Sequence, residues 1–423
     1  MRVNDWSSPQ ASKSPMKMPL DFKKLVAARF FATFAVQMQS IVLAWRIYDL
    51  MKDPLYLGLI GLCEAVPAIG LALFAGYFID RSRPLKVYRG VLCVCLLSGL
   101  ILLSAHLFAS HLSVIHQAMM LYSASFLTGL ARSFSQPSIY ASVPRLVTRE
   151  QLVQATAMNS SAMQVARIGG PAVGGFIFGF LGSVTAASTV CALLVIGLFT
   201  LLSIQADIAP PADRPKHNSV KDEFLSGIRF VFKHPILLPA LSLDMVSVLF
   251  GGVTALLPIF AEDILHAGPK GLGLLRGAPA IGATLMSFYL ARFQLKGRSG
   301  TWLFTAVTGF GVCIFIFGLS RVFWLSMAAL ALSGAFDSIS MLIRSSAVQL
   351  ASPDHLRGKI SAVNSIFIGS SNEIGEVESG LMAKLMGTVP SVYFGATMCL
   401  LSAGVIAYLS PRLRKMELEK LVN

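Results

Sequence analysis

Apolar runs of about twenty residues follow one another along the chain, separated by short polar interruptions. A helix needs about 20 apolar residues to cross a bilayer. The pattern therefore predicts twelve membrane-spanning helices, at residues 25–49, 55–79, 87–109, 113–136, 154–180, 183–206, 237–260, 271–293, 301–319, 323–345, 360–383 and 391–410. The first run is too long for the apolar region of a cleaved leader, and further runs follow it, so it reads as the first span. One long polar stretch, 209–233, divides the runs into six and six. Within it, Ser219 and Asp222 form a capping-box pattern. Phe224, Ile228 and Val231 would share one face of a short helix lying on the membrane surface beside Lys221 and Arg229. The expected organisation is an all-α membrane protein: a tail over 1–24, a six-helix bundle over 25–206, a linker with an interfacial helix over 207–236, a second bundle over 237–410 and a tail over 411–423.

Composition supports a membrane solvent. Of 423 residues, 55% are hydrophobic and only 13% charged, against roughly 25% charged in soluble domains. A net charge of +14 would suit nucleic acid if the bases were clustered; instead they alternate between loops. Lys13, Lys17, Lys23 and Lys24 precede the first span, and Arg81, Arg83, Lys86 and Arg89 follow the second. Arg145 and Arg149, the linker, Arg292, Lys296 and Arg298, Arg357 and Lys359, and the C-terminal Arg412, Arg414, Lys415 and Lys420 continue the series. The opposite loops hold only Lys52, Lys270, Arg321 and Lys384. By the positive-inside rule both termini are cytoplasmic, and nucleic acid is not an expected partner.

The two halves resemble each other. Gly61-Leu-Cys-Glu64-Ala-Val-Pro67-Ala-Ile-Gly70 in the second span matches Gly273-Leu-Leu-Arg276-Gly-Ala-Pro279-Ala-Ile-Gly282 in the eighth. Ala157-Met-Asn159-Ser160 matches Ala362-Val-Asn364-Ser365, and Gly170, Gly175 and Gly129 each have a glycine 205 residues later, at Gly375, Gly380 and Gly334. A duplication with both halves in the same orientation is expected, which places a substrate site between them near the bilayer midplane.

Gly76-Tyr-Phe-Ile-Asp80-Arg81-Ser-Arg83, directly after the second span, resembles the loop motif G-x-x-x-D-R-x-G-R-R/K of the major facilitator superfamily, with Arg83 in place of its second glycine. Gly170-Pro171-Ala-Val-Gly174-Gly175 is similar to the G-P-x-x-G-G element of that superfamily's antiporters. Ser125 stands where the superfamily's fourth span has an arginine. Pro353-Asp-His-Leu-Arg357-Gly358 through Ser371-Asn372-Glu373-Ile-Gly375-Glu376-Val-Glu378-Ser379-Gly380 resembles the bacterial efflux branch that includes enterobactin exporters. The resemblance implies two pseudo-symmetric six-helix bundles working by alternating access in the inner membrane as a monomer. Gating roles are expected for Gly76, Asp80, Arg81, Arg132, Gly170, Pro171, Gly174 and Gly175; the span 5 glycines allow close helix approach, and Pro171 removes a backbone donor and kinks the helix, as a hinge or seal would need.

Charges inside hydrocarbon are costly and mark function by default. They are Arg46, Glu64, Arg132, Arg167, Asp244, Arg276, Asp337, Arg344, Glu373, Glu376 and Glu378, and they avoid spans 3, 6, 9 and 12. In the resembled superfamily those four spans face lipid and the other eight enclose the cavity. The repeat aligns Glu64 with Arg276 and Arg132 with Asp337, so attraction is expected within each pair across the two halves. Asp244, about 10 Å into its span with no basic neighbour within a turn, is a candidate proton carrier, as are Glu64 and the Glu373/Glu376 pair. Arg167 is a candidate anion ligand.

Other chemistry is not supported. Cys63, Cys93, Cys95, Cys191, Cys313 and Cys399 lie in apolar runs without metal-ligand spacing. His106, His111 and His116 do not share a helix face, and no phosphate-binding loop or hydrolase motif occurs. No enzyme activity, cofactor or metal is expected. The leading expectation is proton-coupled export of small amphipathic, drug- or siderophore-like compounds. Uptake or lipid flipping on the same fold is the alternative, and a non-transporting receptor a remoter one.

Overall fold

A computed structural model describes residues 18–206, 228–293, 297–353 and 357–418. The described residues are helical almost throughout. In the first half α1 (Leu20–Met51), α2 (Pro54–Asp80), α3 (Pro84–Leu107), α4 (Val114–Leu146), α5 (Leu152–Leu181) and α6 (Ser183–Leu202) follow one another through tight turns. Asp53 caps α2 by accepting a hydrogen bond from the Leu55 amide, with Pro54 at the first helical position, where its missing N–H costs nothing. The second half has α7 (Leu237–Gly251), α8 (Gly268–Arg292), α9 (Ser299–Leu319), α10 (Phe323–Ala351), α11 (Arg357–Met386), α12 (Thr388–Leu409) and a terminal turn, α13 (Pro411–Arg414).

The seventh expected span departs from one continuous helix. After Gly251 the chain passes through a tight turn at Thr254–Leu256, one helical turn at Leu257–Ile259 and a wide turn at Phe260–Ile264. Gly252 and Pro258 interrupt the regular ladder there, and Ser379 of α11 donates to the Gly252 carbonyl at 2.7 Å. Broken backbone at membrane depth is tolerated where protein satisfies it.

Among the described residues, ten segments are long and apolar enough to cross a membrane. The other two expected spans, α4 and α11, are equally long at 33 and 30 residues. They are less apolar because they carry histidine, glutamine and serine in α4, and glutamates and lysines in α11. Part of that polar content is buried, as at Gln117, Ser125, Thr128 and Ser133 in α4 and Ser371, Glu373 and Ser379 in α11. The expected linker helix lies mostly outside the described residues, Ser219, Asp222 and Phe224 included. Its last turn, 228–233, is helical, and Val231 is fully buried with Leu237, Leu241, Val348 and Ile360. That end packs on the second bundle.

The duplication is visible in the packing. In the first half α1 packs on α5 and α6, α2 on α4, and α3 on α4 and α6. In the second half α7 packs on α11 and α12, α8 on α10, and α9 on α10 and α12. The bundles meet mainly through α2 against α11 and α5 against α8, contacts that the repeat exchanges. Lys24 Nζ reaches the Ser203 carbonyl at 2.7 Å, and the Gly300 amide donates to the Met416 carbonyl at 2.9 Å. The described chain ends therefore lie at the starts of α1 and α9, one end of the molecule.

At the opposite end a single apolar cluster runs through both bundles, from Ile41, Leu57 and Leu121 to Phe260, Leu275 and Phe317. At the termini end the cores are separate, one in the first bundle and two in the second. The molecule is thus closed at the end away from the termini, and its halves part toward them.

Candidate functional site

Helices α2 and α5 can press against the other bundle because glycines face glycines there. A Cβ on Gly175 would lie 2.6 Å from the Pro269 carbonyl oxygen and 2.8 Å from the Gly273 Cα. One on Gly380 would lie 2.9 Å from the Gly58 Cα. Gly170 and Gly174 work elsewhere: they seat α5 on Gln37 and Met38 of α1, within one bundle. Pro171 presents its carbonyl oxygen to Gly273.

Polar contacts latch the same end. Lys384 Nζ on α11 donates to Asp53 Oδ2 at 2.8 Å, and the Tyr48 hydroxyl of α1 donates to Asp263 Oδ2. Lys270 at the start of α8 lies over the Phe180 ring of α5. Partial burial pushes the Asp53 carboxyl up, but the hydrogen bonds from Lys384 and the Leu55 amide outweigh it and hold the group below the usual carboxylate range. Deeper in, Gln164 Nε2 on α5 donates to Thr284 Oγ1 on α8 at 3.0 Å.

Beneath this closed end lies a cavity of about 140 Å³ between the bundles, lined by Gln39, Glu64, Thr128, Arg132, Arg276 and Glu376 among others. Arg132 is its centre. Its guanidinium donates to Glu64 Oε1 at 2.9 Å within its own bundle and reaches Glu373 Oε1 of the other bundle at 2.7 Å. Glu373 is buried, whereas the Arg132 side chain is 47% exposed, toward the gap between the halves. Gln39 bridges Ser98 and Thr128 at 2.7 and 3.1 Å behind the cavity wall.

The pairing differs from the symmetry expectation. Glu64 pairs with Arg132 rather than Arg276, because Gly129 lets α4 lie directly on the α2 backbone at Glu64 and brings Arg132, one turn on, to the same level. Arg276 shares the cavity with Glu376 and has no ion pair among the described residues. Asp337 does not meet Arg132. It lies near Arg344 and Asp244 inside the second bundle. Asp244, which has no base on its own helix, is ion-paired with Arg344 from α10, both side chains being buried at 7% and 5% exposure. Arg167 is exposed on α5, without an ion pair among the described residues. Gly76 and Arg81 lie at the termini end of α2, and the Asp80 side chain is outside the described residues.

Sequence reasoning passed over several residues. Arg29, buried in α1, donates to Asn159 at 2.9 Å and Gln136 at 2.8 Å; a base inside the first apolar run was the available signal. The latch residues Tyr48, Asp53, Asp263 and Lys384 sit in or beside turns, where charge is ordinary and no single position stands out.

Comparison with known proteins agrees with this architecture. The transmembrane secretion effector family matches residues 10–423. Among curated relatives, the enterobactin exporter EntS of Shigella dysenteriae is 23% identical over 88% of this chain and 87% of its own, and that of Citrobacter koseri 24% over the same shares. Among solved structures, a POT family transporter in complex with 5-aminolevulinic acid superimposes with a TM-score of 0.77 at 11% identity, covering 95% of this chain and 98% of that one. A bacterial homologue of the iron transporter ferroportin, in its inward-facing state, gives 0.71 at 15% identity, covering 94% and 99%. These structural likenesses concern the fold. The chain belongs to the transmembrane secretion effector family, a branch of the major facilitator superfamily.

Proposed function

We propose that this protein is a secondary active exporter of small amphipathic compounds, drug- or siderophore-like, driven by proton antiport through alternating access in the inner membrane. The reading takes both termini as cytoplasmic, so that the conformation described is open inward, and one chain as the transporting unit. The curated relatives named as enterobactin exporters support export as the direction.

The observation that carries the reading is the Arg132 bridge from Glu64 to Glu373 across the bundle interface. An ion pair joining two halves that must move apart ties their arrangement to its own charge state. The cavity region holds three acids, Glu64, Glu373 and Glu376, and two cations, Arg132 and Arg276. With all five ionised its net charge is −1, a costly condition at low dielectric. One proton neutralises it, and so does one cationic or hydrogen-bond-donating group of a substrate. Proton and substrate would then exclude each other, which is the condition for exchange transport. Arg167, exposed midway along α5, would receive an anionic substituent. The cavity is well below the roughly 300–1,000 Å³ of drug-sized sites, so cargo would enter as the inner halves part further.

Proteoliposomes loaded with a fluorescent amphipathic cation and given an imposed pH gradient test the proposal. Gradient-dependent efflux is expected, abolished by an uncoupler and by Glu373→Gln. Efflux that persists undiminished after the gradient is collapsed would reject proton coupling.

A further inference from the structure

A cavity larger than the central one lies on the outside of the second bundle at the termini end, with a volume of about 770 Å³. Three features of its lining belong together. Its rim carries three cations, Arg298 before α9 and Arg414 and Lys415 at the end of α13, all exposed. None of them has an ion-pair partner among the described residues. Below the rim Thr301, Thr305 and Thr308 stand at helical spacing on the exposed face of α9. At and past the level of Thr308 the lining is apolar, formed by Val312, Cys313 and Phe336, with Phe304 and Ala407 flanking the threonines nearer the rim.

The rim is held in place by the fold. Leu413 and Met416 are buried at 0% and 4% exposure, and the Met416 carbonyl accepts the Gly300 amide at 2.9 Å. A Cβ on Gly300 would lie 1.9 Å from the Leu413 carbonyl oxygen, so only glycine allows this docking. It brings Arg414 and Lys415 beside Arg298 from the far end of the chain.

The threonines are also unusual here. Helical threonines elsewhere, such as Thr185, Thr200, Thr284 and Thr397, give their hydroxyls to the carbonyl one turn back. Thr301, Thr305 and Thr308 make no such bond, nor any other among the described residues. A hydroxyl facing hydrocarbon without a partner is unfavourable, so these three are placed to donate to something in the groove.

From this we infer that the groove binds one anionic phospholipid of the leaflet on the termini side. Its phosphate sits on Arg298, Arg414 and Lys415, its glycerol ester oxygens accept from the threonine hydroxyls, and an acyl chain lies on the apolar floor. The vertical order of cations, hydroxyls and apolar surface matches the order of groups in a phospholipid entering hydrocarbon. The inference rests on the membrane-spanning fold alone and holds whatever the cargo.

Native mass spectrometry of the purified full chain in detergent, titrated with phosphatidylglycerol or phosphatidylcholine, tests it. Retention of one phosphatidylglycerol in preference to phosphatidylcholine is expected. Each basic group near an anionic headgroup contributes about fivefold, so Arg298→Gln, Arg414→Gln and Lys415→Gln together should weaken retention on the order of 100-fold. The same triple variant should keep its helical circular dichroism. Thr305→Val with Thr308→Val, which leaves every charge in place, should weaken retention of both lipids. Equal retention of the two lipids by the parent, or unchanged phosphatidylglycerol retention in the triple variant, overturns the inference. So does displacement of the lipid by millimolar inorganic phosphate, which would make the site one for a free anion.

Discussion

Closing the end away from the termini depends on α5 and α8 touching backbone to backbone at Gly175 and Gly273. Replacing Gly175 by alanine puts a carbon 2.6 Å from the Pro269 carbonyl oxygen and 2.8 Å from the Gly273 Cα, where ordinary contact begins near 3.4 Å. The nearest atoms on both sides are backbone, so no rotamer change relieves the clash, and the helices must separate by about 0.6–0.8 Å. Overpacking of this kind costs about 1–3 kcal/mol, and leucine should lie at the upper end. The clash exists only when this end is closed. Its whole cost therefore shifts the closed–open equilibrium, by about 5–150-fold toward opening at this end. Spin labels at Val184 and Trp324, which are exposed on opposite bundles at the closed end, report the change in a chain whose six cysteines are replaced by alanine. Electron–electron distances should lengthen in Gly175→Ala and more so in Gly175→Leu, with transport reduced in the same order. A distance distribution identical to that of the parent in Gly175→Leu, in a folded protein, would refute the assignment of Gly175 as the seal.

Further expectations follow from the charges. Arg132→Gln leaves Glu64 and Glu373 facing each other without their shared cation; gradient-driven efflux should be lost while the protein still inserts, and normal efflux from this variant would show the bridge to be dispensable. Arg344→Met leaves Asp244 and Asp337 uncompensated in a buried site, a loss of about 3–5 kcal/mol, whereas Asp244→Asn leaves Arg344 with Asp337 nearby and should cost less; melting in detergent gives the order, and the reverse order rejects this account of the cluster. The Asp53–Lys384 latch has a definite pH sense. The Asp53 carboxyl is held below its ordinary value of 3.8, so its contribution to the closed end is complete above that value and is lost as pH falls through the lowered one. Acidification from neutral to progressively below 3.8 should lengthen the label distance in the parent, and Lys384→Gln should abolish that dependence, a result checked by titrating the same spin-label pair.

Much of the fold was legible because hydrocarbon imposes simple rules. Apolar run length placed the helices to within a few residues for most spans: 183–206 was expected where Ser183–Leu202 is found, and 301–319 where Ser299–Leu319 is found. The expected ends of α4 and α10, at 136 and 345, fall short of Leu146 and Ala351, because amphipathic turns continue past the point where hydropathy falls. The break in the seventh span was missed because Gly252 and Pro258 are common enough in membrane helices to give no signal alone. The Gly252 carbonyl is satisfied from α11, a contact that no local pattern encodes.

The candidate site was legible as a set of residues but not as a set of pairs. Burial cost singled out Glu64, Arg132, Arg276, Glu373 and Glu376, and four of these line the central cavity while Glu373 reaches into it through Arg132. Pairing by repeat symmetry assumed that equivalent residues face each other across the axis. The packing shows why that fails: the symmetric contacts are α2 with α11 and α5 with α8, so a residue's symmetry mate on α8 is not its neighbour. Glu64 on α2 packs against α4 and α11, where it pairs with Arg132 and through it meets Glu373, while Arg276 on α8 lines the same cavity without pairing with it. The relevant rule joins the second helix of one half to the fifth of the other. Applied to the sequence, it brings Glu64 together with the α11 acids Glu373 and Glu376.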